Sequence, residues 1–88
     1  MDCYSVILKP SIERDLKGFP KSMVERIWER IEDLKNDPFP RQSIKLAGSD
    51  QFYRIRVGDY RIVYAVNTVR KQITIHYIRH RRDIYRKL

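Results

Sequence analysis

An α+β fold follows from the order of the periodicities along this chain: one alternating stretch, two stretches of helical spacing, then three alternating stretches joined by turns. The 88 residues suit a single domain, positions 1–88, with one small core. Helices grouped early and hairpins grouped late place a two-helix hairpin on one face of an antiparallel-rich, four-stranded sheet. An N-terminal strand and a short C-terminal helix or tail complete the expected architecture.

Residues 3–9 form the first expected strand, with Tyr4, Val6 and Leu8 on one face and Cys3 as a small side chain within it. Pro10 stops that strand. Ser11 is a suitable N-cap, Ile12, Leu16 and Phe19 fall at helical spacing, and Gly18 can end the helix in the left-handed region. Pro20 opens a second helix running to about Asn36. Its stripe of Met23, Val24, Ile27, Trp28, Ile31 and Leu34 has a period of 3.6 and is expected in the core. Like charges at Glu25/Glu29 and Arg26/Arg30 do not support this helix, so burial must. A long connection, "NDPFPRQSIKLAGSDQ", follows, in which "IKLAG" forms a brief strand or a turn. The last three strands are expected over 51–57, 60–67 and 72–79, and residues 81–87 as a helix or tail.

A two-residue turn at Gly58-Asp59 fixes the register of the first of these hairpins. Val57 then faces Tyr60, Arg56 faces Arg61, Ile55 faces Ile62, Arg54 faces Val63 and Tyr53 faces Tyr64. One face is apolar and suits the helices; the other carries Arg54, Arg56 and Arg61. Arginines directly opposite one another destabilise a strand pair. An anion between them removes that cost, and planar guanidinium groups grip a phosphate with paired hydrogen bonds. If Val66 faces Ile73, unbroken alternation sets Tyr64 against Ile75 and Ile62 against Tyr77. His76, Ile78 and His80 then project on the arginine face, with Arg81 and Arg82 near its end and Lys45 within reach.

Charge points the same way. The net charge is +8, but residues 1–40 carry −1 and residues 41–88 carry +9. A basic half with interspersed tyrosines and histidines suits a polyanion, and RNA better than duplex DNA, because the one long helix is not basic. No apolar run is long enough to span a bilayer and no signal peptide is evident, so a soluble, cytoplasmic protein without a membrane partner is expected. The lone Cys3 permits neither an internal disulfide nor a zinc site. The basic half holds only Asp50, Asp59 and Asp83, so RNA cleavage here is expected to run without a metal or cofactor, through attack of a 2′-hydroxyl on its own phosphate. That reaction needs a base, an acid and positive charge at the transition state. Arg61 can supply the charge, and Arg54, Arg56 and Lys45 can hold flanking phosphates. Imidazole is the proton carrier better matched to neutral pH, which points to His80; a phenol such as Tyr85 needs nearby positive charge.

The segments "IKLAG", "FYRIRVGDYRIVY" and "YIRHRRDIYR", after "LKPSIERDLKGFPKSMVERIWERIEDLKNDP", resemble the RelE/ParE superfamily of toxins, and the RelE branch in particular. The resemblance covers nearly the whole chain. It implies a ribosome-dependent mRNA endonuclease that blocks translation, partnered by mRNA, the ribosome and a cognate antitoxin that masks it. Basic family positions fall on Arg54, Arg56 and Arg61, a further arginine on Arg81 and a late tyrosine on Tyr85. Arg81 would then support phosphate or leaving-group charge, and Tyr85 would act as base or stacking platform. Ala47 stands where the family is often basic. Two other activities fit the same fold: inhibition of DNA gyrase, as in the ParE branch, and RNA or ribosome binding without cleavage.

Overall fold

The computed structural model describes residues 3–46, 48 and 51–81. Their order is β1 (Ser5–Leu8), α1 (Pro10–Lys17), α2 (Lys21–Asn36), β2 (Ile44–Lys45), β3 (Phe52–Val57), β4 (Tyr60–Asn67) and β5 (Gln72–His80). The sheet has five strands in the order β1-β5-β4-β3-β2, one more than expected, because "IK" of the long connection pairs with β3. β1 runs parallel to β5 and the other pairings are antiparallel. The C-terminal helix or tail expected over 81–87 lies outside the described residues except for Arg81. Among the described residues no helix is long and apolar enough to cross a membrane.

Both helices lie on one face of the sheet. Ile12 and Leu16 of α1, and Ile27, Ile31 and Leu34 of α2, are buried against Ile55, Val57, Ile62, Tyr64, Val66, Ile73, Ile75 and Ile78. Each such aliphatic side chain contributes about 1.5–3 kcal/mol on burial. Trp28 departs from the expected stripe: it is 38% exposed and is not among the side chains of the core. The caps also differ from expectation. Lys9 is the N-cap of α1, with Pro10 rather than Ser11 opening the helix, and Gly18 keeps a right-handed φ of −91°. Cys3 precedes β1 and is exposed, its thiol 3.4 Å from Asn36 Oδ1.

The hairpin turn does need its glycine. Gly58 has φ of 59°, while Asp59 keeps a negative φ, the pattern of a type II′ turn. A Cβ at Gly58 would stand 3.0 Å from Met23 Cε and 3.3 Å from an Arg26 terminal nitrogen, so the turn also packs closely on α2.

The long connection is tied down from below. Tyr64, fully buried, donates its hydroxyl to the Pro38 carbonyl at 2.9 Å. Burial pushes the Tyr64 phenol up to about 12, partly opposed by a hydrogen bond with Ser43. An unfolded tyrosine releases its proton near 10, so between pH 10 and 12 the unfolded chain binds fewer protons and stability falls with pH. Tyr64→Phe is expected to cost about 1–2 kcal/mol below pH 10, because the Pro38 carbonyl loses its donor. The same substitution should flatten the alkaline decline, which is worth about 2–3 kcal/mol. Urea unfolding across this pH range measures both effects; an equally steep decline in the Phe variant would refute the assignment.

Candidate functional site

The hairpin register is as the turn dictates: Arg56 pairs with Arg61, Arg54 with Val63, Ile55 with Ile62 and Val57 with Tyr60. Alternation then sends Arg54, Arg56 and Arg61 to the face opposite the helices. β2 forms one rim of this face. Ile44 pairs with Arg54, so it shares the arginine side, and it is 52% exposed. Gln42, Ile44, Arg54, Ile55, Arg56 and Arg61 line an open groove of about 220 Å³. Among the described residues no carboxylate lies within salt-bridge distance of Arg54, Arg56 or Arg61. Among the described residues, three cations are therefore gathered without a paired carboxylate, an arrangement that favours an anionic ligand.

Lys45 is not part of this cluster by register. It pairs with Tyr53, whose ring stacks on Tyr64, and so stands on the helix side of the alternation. Ile44 and Gln42 take the place expected for it beside the arginines.

Arg81 is brought to the site from the end of β5. Its backbone N–H donates to the Asp59 carbonyl at 2.8 Å, clamping the strand end to the hairpin turn. Its guanidinium stands 3.8 Å from the Asp59 carboxylate, with both side chains about 65% exposed. Arg81 lines a smaller recess with Arg56 and Arg61, adjoining the main groove. Arg82, Tyr85 and Ala47 lie outside the described residues.

β5 departs from simple alternation, and this moves several side chains. Val66 pairs with Ile73 and Tyr64 with Ile75, as expected, but Val63 pairs with Tyr77 and Ile62 with Ile78. The extra residue is His76, at a β-bulge. Beyond it every residue changes face. Ile78, expected beside the arginines, is fully buried in the core, and Ile62 faces Ile78 rather than Tyr77. His80 pairs with Tyr60 and sets its ring edge-to-face against it, centroids 5.0 Å apart, on the side where Tyr60 meets Phe19. His80 is thus separated from the arginine face. His76 stays there, packed edge-to-face on Phe52 at 4.7 Å. Its own burial, aided by the Lys9 ammonium, lowers its pKa, which favours the neutral imidazole.

The same shift delivers Arg79 to a place directly across from Arg61, so Arg56, Arg61 and Arg79 form a row across three strands. Strict alternation hides Arg79. The sequence carries one trace of it: buried isoleucines at 73, 75 and 78 step by two and then by three.

Residues 6–85 match the family model described as the ParE toxin of type II toxin–antitoxin system, parDE. The RelE1 protein of Methanocaldococcus jannaschii is 34% identical over 86 residues, which span 94% of this chain and 96% of that protein. The fold is similar to that in the archaeal RelE–RelB complex from Pyrococcus horikoshii OT3, with a TM-score of 0.82 and 35% identity over 92% of this chain and 97% of that one. The RelB–RelE antitoxin–toxin complex from Methanococcus jannaschii gives a TM-score of 0.76 and 30% identity, covering 93% and 98%. With the family model matched over residues 6–85 and a relative 34% identical over 94% of its length, this chain belongs to the RelE/ParE superfamily of toxins of type II toxin–antitoxin systems.

Proposed function

We propose that this toxin is a ribosome-dependent, metal-independent endoribonuclease that cuts mRNA during translation, and that it works in the cytoplasm. The observation that carries this reading is the open groove with Arg54, Arg56 and Arg61 at its wall and no carboxylate paired to them among the described residues. Guanidinium groups so placed suit a phosphodiester whose charge rises as the reaction proceeds. The 2′-oxygen attacks the adjacent phosphorus, a base takes the hydroxyl proton, and the P–O5′ bond breaks as the leaving oxygen gains a proton. Arg61, central in the row, stabilises the pentacoordinate transition state. Arg54 and Arg56, stepping along β3, hold flanking phosphates, and Arg81 supports the leaving group from the strand end. Arg82 is a further candidate RNA contact. The placement of His80 against Tyr60 favours Tyr85 as the proton carrier.

The structural relatives in complex with RelB support a cognate antitoxin for this chain as well. Such a partner is expected to offer carboxylates to the groove and apolar side chains to exposed residues such as Ile44 and Ile7. A second reading, inhibition of DNA gyrase, is favoured by the match to the ParE family model. Primer extension on a message translated in a cell-free system separates the two. New message ends at stalled codons are expected on adding the protein; intact message with trapped gyrase–DNA complexes would overturn the nuclease reading.

A further inference from the structure

Arg79 is the outlier of the arginine row. Its partner across β4 is Arg61, yet it lines neither the main groove nor the smaller recess. Its Nη1 instead donates to Asp15 Oδ2 at 3.2 Å, a contact between residues 64 apart in sequence. The edge of β5 makes this possible. β1 pairs with residues 72–75, so among the described residues the remainder of β5 has no strand on that side, and α1 also contacts β5. Asp15 is held beside buried Leu16, and its side chain is only 30% exposed. The Asp59–Arg81 pair is looser and far more exposed.

From this geometry we propose that Asp15 is a positioning residue: as the resident counter-ion of Arg79, it sets how many cations the groove offers to an RNA backbone. The inference rests on the ribonuclease reading above. A phosphate that recruits Arg79 must displace a carboxylate, and the carboxylate left behind takes a cation from solution. That exchange releases no net ion. The salt dependence of RNA binding in the natural protein therefore omits Arg79, whereas each guanidinium free to meet a phosphate of a single strand adds about 0.7 to the slope.

The test is fluorescence anisotropy of the full chain with a short 2′-O-methyl oligoribonucleotide, which cannot be cleaved, across a series of salt concentrations. Asp15→Asn keeps the shape and removes the charge. It is expected to bind a few-fold more tightly at low salt and to steepen the slope of log K against log salt by about 0.7. Glu13→Gln makes the same change of charge at an exposed position on the same helix and should keep the natural slope. The double variant Asp15→Asn/Arg79→Gln should return to the natural slope, and Arg79→Gln alone should not alter it. An unchanged or shallower slope in Asp15→Asn, or a loss of slope in Arg79→Gln alone, would overturn the assignment while leaving the ribonuclease reading standing. Failure of the natural protein and every variant to bind at the lowest salt would overturn that reading and this inference together.

Discussion

Arg61→Ala is expected to lower the rate of message cleavage by about 10²–10³-fold, the cost of removing one fixed charge from a phosphoryl transition state. The fold should survive. Arg61 is opposed by Arg56 on one side and Arg79 on the other, so its removal relieves repulsion, and the core beneath is untouched. Thermal unfolding of the variant should match or exceed that of the natural protein. Arg61→Lys should recover only part of the rate, because an ammonium group keeps the charge but loses the planar fork that meets two phosphate oxygens. Primer extension under single-turnover conditions reads both variants. Full cleavage by a folded Arg61→Ala protein would remove the central element of the proposed site.

Ile78→Ala has the largest expected effect on stability, about 2–5 kcal/mol, through lost burial and the cavity left behind. In a domain of this size that lowers the melting temperature by on the order of 10–30 °C. The adjacent Tyr77→Ala should cost less than about 1 kcal/mol, since that ring is 38% exposed and lies outside the core cluster. The contrast is a direct test of the bulge. Without it, Ile78 would share the arginine face and Tyr77 would fill the interior, and the order of the two effects would reverse. Chemical denaturation of the two variants decides the matter.

Much of the site is legible in the amino-acid sequence because a tight turn transmits information along two strands at once. Gly58-Asp59 sets the register, and that register alone places Arg54, Arg56 and Arg61 on one surface. The helical stripe is equally readable at Ile27, Ile31 and Leu34, where burial follows the period. What escapes is whatever depends on partners distant in the chain. β2 is two residues long and exists only because β3 offers it an edge. Ile44 rather than Lys45 shares the arginine side for the same reason, since their facing depends on that pairing. The bulge at His76 inverts three later assignments, Tyr77, Ile78 and His80, and brings Arg79 opposite Arg61, with a single extra residue. Trp28 has the right spacing for the interior, but the fold leaves it exposed, outside the core.

The additional residue in β5 acts as a spatial frameshift. Upstream of it, odd-numbered positions feed the interior; downstream, even-numbered ones do. Both segments feed the same core, through Ile73 and Ile75 before the shift and Ile78 after it, but they present side chains of opposite parity to the other surface. A one-position error in placing residues 77–80 on the sheet would therefore exchange a cation for a hydrocarbon and misassign every side chain that follows.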